Sequence, residues 1–370
     1  MSARNAPAGF KRVFISDCEG PISKNDNAFE LASRFVPDGA RLFTLISRYD
    51  DVQADIVKRK GYKAGDTLKL VLPFLKAYGL TDKAMTSFSS QSIILVPGAK
   101  EMLECVRCSM PAYIVSTSYQ QYIRALCDAV DFPFEDVYCT RSDLDKHNIS
   151  DEEKTEVKQI SKEIIELPML EIPPRAQSLK AFPEEMQEAV QRLDEIFRDE
   201  ISSMRIGKAL YKVNPIGGPE KVIAVKDILS KLKGRLQDVM YVGDSITDVS
   251  AFEFVRDAGG LTVSFNGNSY AVREAEIALL SKSAAVTAIL ATMFTELEKE
   301  RLLNTIKDWK PSTIKKFHLR KPLKRFSTSI SRDGFPPRAE LVTRHNVEKL
   351  IRDSVEFRKS VRGEAIGRLG

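Results

Sequence analysis

Apolar residues follow two rhythms along this chain. Five short runs are apolar nearly throughout: "RVFIS" (12–16), "AYIVS" (112–116), "DVYCT" (136–140), "VMYVG" (239–243) and "LTVSF" (261–265). Continuous hydrophobicity, rather than alternation, marks strands covered on both faces, so these runs predict a parallel sheet. Between them the spacing shifts to three and four. "YQQYIRALCDAV" (119–130) follows the second run, and "PEKVIAVKDILSKLK" (219–233) precedes the fourth, with Pro219 suited to a first helical turn. Strand and helix in alternation predict an α/β fold, a doubly wound parallel sheet.

Two segments break the alternation. Residues 22–95 carry Leu42, Leu45, Ile46, Tyr49, Val52 and Ile56 at helical spacing. A second stretch, "GDTLKLVLPFLKAYG", has Asp66 as a helix cap and Pro73 as a kink or break. Residues 145–212 form another insertion, helical at "DEEKTEVKQISKEIIE" and "PEEMQEAVQRLDEIFRDEI" and divided by "LPMLEIPPRAQ". The expected division is a core of 1–21, 96–144 and 213–309, a helical cap of 22–95, a second helical insertion of 145–212 and an extension of 310–370.

Charge sharpens that picture. The 370 residues carry a net +5, yet residues 310–370 hold 16 Lys and Arg against 6 Asp and Glu, a net +10, which leaves −5 for residues 1–309. At 43% hydrophobic and 29% charged the chain has an ordinary globular composition. Without a leader or an apolar run near 18 residues, it reads as cytoplasmic. Five cysteines (Cys18, Cys105, Cys108, Cys127 and Cys139) predict reduced thiols, and the lone CxxC of Cys105 and Cys108 lies in a helical pattern without a second ligand pair. His147, His318 and His345 are scattered and expected at the surface.

Candidate chemistry gathers at strand ends. The first strand ends in Asp17 and Glu19, two carboxylates on one face that repel unless a cation lies between them. The second leads through Ser116, Thr117 and Ser118 into a helix, which predicts an anion nest. The fourth ends in "GDSITD", delivering Asp244 and Asp248, and Lys221 sits in a first helical turn after "GGPE". Open parallel sheets bind ligands at these carboxyl ends. The acids can hold a divalent cation, and the lysine and nest a phosphate. The plainer alternatives are solvated turn acids, Ser116 as a helix cap, and Lys226 in place of Lys221.

Four motifs in order, "DCEGP", "YIVS", Lys221 and "GDSITD", resemble those of the haloacid dehalogenase superfamily of phosphohydrolases. A helical insertion directly after the first motif is similar to the cap of the phosphoserine phosphatase branch, and the body is also similar to archaeal members labelled as a subunit of an energy-converting hydrogenase. The resemblance implies a HAD-like, Rossmannoid core with Asp17 as nucleophile, forming an aspartyl-phosphate, and Glu19 as general acid/base. It implies Mg2+ held by the Asp17 and Asp244 carboxylates and the Glu19 backbone carbonyl. Ser116, Thr117 and Lys221 would bind the phosphoryl group, with Asp248 in support. The family usually has Asp where this chain has Glu19, and that extra methylene moves the proton donor outward. The cap stretch "TLKLVLPFLKAYG" offers lysines but no arginine, against phosphoserine as substrate.

The expected function is a magnesium-dependent phosphatase acting on a small phosphorylated metabolite. The alternatives are a non-catalytic or regulatory subunit keeping the fold, and phosphoryl transfer to an acceptor other than water. The basic stretch "TIKKFHLRKPLKRFSTSISR" has no accompanying nucleic-acid motif. Its expected roles are a solvated arm on an acidic body or a contact for a protein partner, remote from the phosphate site.

Overall fold

In a computed structural model of the chain, residues 12–173, 176–310, 337–367 and 369 are described. Val13–Ser16 (β1), Ala112–Tyr119 (β2), Val137–Thr140 (β3), Val239–Gly243 (β4), Leu261–Phe265 (β5), Ile277–Leu280 (β6) and Arg338–Leu341 (β7) form one sheet in the order β3-β2-β1-β4-β5-β6-β7. The first six are parallel, and β7 pairs antiparallel with β6 at the edge. All five predicted runs are strands. Two strands were not foreseen: β6 is only "IALL", too short to separate from its flanking helices by pattern, and β7 lies within the segment expected to be an arm.

Both faces of the sheet are covered, which accounts for the continuous apolar runs. In β1, Phe14 points to a core with the helices Ala99–Arg107, Gln120–Val130 and Ala285–Glu296. Val13 and Ile15 point the other way, to Pro219–Leu232 and Val249–Asp257. In β4, Met240 and Val242 share the first core, and Val239 and Tyr241 the second. Each such fully buried side chain is worth about 1.5–3 kcal/mol. Strand order runs outward in opposite directions from β1 and β4, so the crevice of this doubly wound sheet lies between them.

The two insertions share a single apolar core. Leu31, Leu42, Ile46 and Phe74 from the first pack with Val157, Ile164, Leu193 and Phe197 from the second. The helix Gly39–Asp51 continues as a π-helical segment, Val52–Val57. The helix Thr67–Ala77 runs through Pro73 instead of breaking there. Burial of Leu70, Val71, Leu72, Phe74 and Leu75 outweighs the roughly 3 kcal/mol a helical proline costs. Asp66 occupies the cap position without capping; its Oδ2 accepts from Lys69 Nζ at 2.6 Å.

The extension is not an arm where it is described. β7 completes the sheet, and the helix Val347–Arg362 lays Leu350 and Ile351 against Val272 and Leu280. The stretch 313–332 and His318 lie outside the described residues. His345 is exposed as expected, but His147 is buried, and burial pushes its pKa down. Among the described residues no helix is long and apolar enough to cross a membrane.

Candidate active site

Register places the two key carboxylates side by side. Ser16 pairs with Val242, and the Asp17 N–H donates to the Val242 carbonyl at 2.8 Å. Asp17 and Asp244 therefore leave adjacent parallel strands together, at the crevice. Carboxylate oxygens of Asp17, Asp244 and Asp248 lie within 4.8 Å of one another, and this is the sole such group of potential metal ligands among the described residues. Gly20 lets the chain pass: its φ is +108°, and a Cβ there would stand 2.2 Å from Asp244 Oδ2.

Lys221 is the hub. It lies in the first turn of Pro219–Leu232, is 0% exposed, and donates to Asp17 Oδ2 at 2.6 Å and Asp248 Oδ1 at 2.7 Å. Lys226 is exposed, with its Nζ over the Phe254 ring, so Lys221 is the lysine at the site. Asp248 is saturated. Its Oδ1 also accepts from Tyr241 Oη at 2.9 Å, and its Oδ2 from the backbone N–H groups of Asp244 and Ser245 at 2.9 and 3.2 Å. Removing one partner from such a buried set costs about 3–5 kcal/mol. Burial raises the Asp17 pKa to about 7 against the opposing charge of Lys221, with Asp248 and Asp244 adding to the rise.

The second strand end departs from expectation. β2 continues through Ser116, Thr117 and Ser118, and the helix begins only at Gln120, with no side-chain cap. Ser116 is thus a strand residue, and its Oγ donates to Ser118 Oγ at 3.2 Å and accepts from the Ser118 N–H at 3.2 Å. Thr117 Oγ1 donates to the Ile216 carbonyl at 3.0 Å, tying β2 to the loop before Pro219–Leu232. Ser116 and Thr117 still line the cleft with Asp17 and Asp244, at a shift in the β2–β3 register.

Glu19 turns toward the cap. Its Oε1 accepts from the Asn27 N–H at 2.7 Å, at the start of the helix Asn27–Phe35. Burial, reinforced by nearby Asp26, pushes its pKa well above the usual carboxylate range. A carboxyl pushed toward its protonated form beside another carboxylate can deliver a proton. The cap wall adds Asp50 and Asp51 to the cleft. Asp50 Oδ2 accepts from the N–H groups of Gly65 and Thr67 at 3.0 Å and from Thr67 Oγ1 at 2.6 Å. Gly65 has φ +95°, and a Cβ there would meet the Thr117 methyl at 2.9 Å, so the cap approaches the core closely at this point.

Two site residues escaped the sequence reading. Arg358 and Arg362, on the helix Val347–Arg362, both donate to Asp244 Oδ2, Arg362 from 3.0 Å. The extension expected to lie remote from these acids therefore reaches the carboxylate cluster. An i, i+4 pair on an amphipathic helix was the available signal, hidden among the other basic residues of the segment.

Residues 107–289 match the family model for haloacid dehalogenase-like hydrolases. Over those residues the chain resembles that family, and its fold is haloacid dehalogenase-like. The match takes in Ser116, Lys221, Asp244 and Asp248; β1 pairing brings Asp17 and Glu19 to them. The chain is similar to the solved structure of a gene product of Archaeoglobus fulgidus, at 26% identity and TM-score 0.77, over 97% of this chain and 99% of that one. A substrate-bound phosphoserine phosphatase complex aligns at 14% identity and TM-score 0.45, over 76% of this chain and 97% of that one. No curated protein matches the chain.

The donors at the crevice suit one hard cation. Asp17 and Asp244 supply oxygen donors, whereas Asp248 is committed to four hydrogen bonds. Asp244 Oδ2 is held by arginines, which leaves Oδ1, with no donor on it among the described residues, as the oxygen for a cation.

Proposed function

We propose that this chain is a cytoplasmic, magnesium-dependent phosphatase that hydrolyses a small phosphomonoester through an aspartyl-phosphate on Asp17. The observation that carries this reading is Lys221, fully buried and bound to both Asp17 and Asp248 beside Asp244. A buried lysine fixed by two acids at a sheet crevice gives a positive anchor for phosphoryl oxygens next to a nucleophile. Magnesium between Asp17 and Asp244 would supply charge neutralisation for those oxygens.

An Asp17 carboxylate oxygen attacks phosphorus as the ester P–O bond breaks, and Glu19 gives its proton to the departing alkoxide. Glu19, now a carboxylate, takes a proton from water as that water attacks phosphorus. Phosphate leaves and Asp17 is restored. Ser116 and Thr117 would hold phosphoryl oxygens opposite Lys221. The insertions 22–95 and 145–212, which share one core, would act together as a lid that excludes water and opens for release.

The arginines on Asp244 favour one second reading, a non-catalytic subunit that keeps the fold with this acid neutralised. A screen of phosphate esters, with magnesium and with a chelator in its place, separates the two. The phosphatase turns over at least one small ester only with magnesium; silence across the screen, with no binding of beryllium fluoride, leaves the subunit.

A further inference from the structure

Arg358 and Arg362 stand one helical turn apart and converge on one oxygen, Asp244 Oδ2. Arg358 is 3% exposed; its Nη1 also donates to the Asp244 and Asn266 carbonyls at 3.3 and 3.4 Å, and its Nε has no hydrogen-bond partner among the described residues. Arg362 reaches across the site. Its Nε donates to the Lys24 carbonyl at 3.0 Å and its Nη2 to the Asn25 carbonyl, on the loop that leads from β1 into the cap. The helix carrying them is fixed: Ser354 Oγ donates to the Gly267 carbonyl at 2.7 Å, and Leu350 is buried against the β6 edge.

Among the side chains in direct ion-pair contact at the crevice, which leaves out Glu19 and Asp26, the charges match one for one. Lys221, Arg358 and Arg362 contact Asp17, Asp244 and Asp248, three cationic heads on three carboxylates. A lone divalent cation makes this cluster net positive, and a phosphate dianion alone makes it net negative. Together they cancel. In a buried cluster an unbalanced charge is strongly opposed.

We infer that Arg358 and Arg362 are positioning residues that make cation binding depend on the phosphoryl group: by holding Asp244 Oδ2 and countering its charge, they keep the cation weakly bound until phosphate arrives. This rests on the reading of Asp17 and Asp244 as the cation site of a phosphatase. Removing a guanidinium has two opposed effects. It frees one buried carboxylate to rotate, a small loss, and it removes a full positive charge from beside the cation, a much larger gain. The gain decides the sign.

The test is Mn2+ affinity of the full chain, read by electron paramagnetic resonance with and without saturating inorganic phosphate. Wild type should bind Mn2+ on the order of tenfold or more tightly with phosphate. Arg358→Met should raise the phosphate-free affinity by a similar factor and shrink the dependence on phosphate. Arg358→Lys, which keeps the charge but not the fork, should stay near wild type. Should Arg358→Met fail to fold, Arg362→Gln on the last turn of the helix should move phosphate-free affinity the same way, by less. Mn2+ affinity that ignores phosphate in wild type, or that neither neutral variant raises, overturns the inference even while esters are hydrolysed. If wild type binds no Mn2+ even with phosphate, the phosphatase reading falls and takes this inference with it.

Discussion

Two sets of carboxylates face each other across the cleft, and their partners differ. At the sheet edge Asp17, Asp244 and Asp248 each contact a lysine or an arginine. On the cap wall the donors to Asp50 among the described residues are all neutral, and Asp51 has Arg48 at 3.6 Å. Both sets are equally buried. An acid that must carry charge during chemistry needs a fixed counter-charge; an acid that only braces a loop can be neutral. Burial raises Asp50 and Asp51 to about 7, as it does Asp17, but only at Asp17 does a hydrogen-bonded lysine oppose the rise.

The largest effect should come from breaking the edge set at Asp17, the proposed nucleophile. Asp17→Asn keeps the shape and the contact with Lys221 but removes the attacking oxyanion. Turnover of any ester found in the screen should drop on the order of a thousandfold or more, with an unchanged circular dichroism spectrum. Hydrolysis surviving in that variant would show that Asp17 is not the nucleophile.

Glu19 sharpens the comparison, because it belongs to the edge by sequence and to the cap by contact. Glu19→Gln keeps the bond from the Asn27 N–H but has no proton to give. The rate should fall by about a hundred- to ten-thousandfold on a poor leaving group such as an alkyl phosphate, and by less on nitrophenyl phosphate. Equal losses on both esters would remove Glu19 from the acid/base role.

The edge was largely legible in the sequence and the rest was not, for a physical reason. Strand ends carry their chemistry in contiguous residues, so "SDCEG" and "GDSITD" announced Asp17, Glu19, Asp244 and Asp248 from pattern alone. Lys221 was legible by its place in a first helical turn. Arg358 was not, because it lies 114 residues from Asp244, and tertiary contacts, the pairing of β7 with β6 and the packing of its helix on Val272 and Leu280, bring it to the site. Ser116 was found for a partly wrong reason: the hydroxyls continue a strand where a helix start was expected, since apolar pattern does not mark where β2 ends. The shared core of the two insertions was equally hidden, as each helix shows an apolar face without naming its partner.

The smallest expected effect tests the cap wall. Asp50 is raised to about 7, chiefly by burial and then by nearby Asp66, whereas an unfolded Asp titrates near 3.9. The folded state therefore binds the extra proton between those values. Its stabilising contribution is full below about pH 4 and is lost as pH rises toward 7. Asp50→Asn copies the protonated acid: the amide oxygen can accept from Gly65 and Thr67, and nothing remains to ionise. The variant should match the parent near pH 4 and exceed it by up to about 4 kcal/mol at pH 8, since the folded and unfolded titrations lie about three pH units apart and each is worth about 1.4 kcal/mol. Urea unfolding followed by the single tryptophan, Trp309, across pH 4 to 8 without metal reads this difference directly. A parent curve as flat as that of the variant would mean that Asp50 is ionised at no cost, and the division between charged edge and neutral wall would not hold.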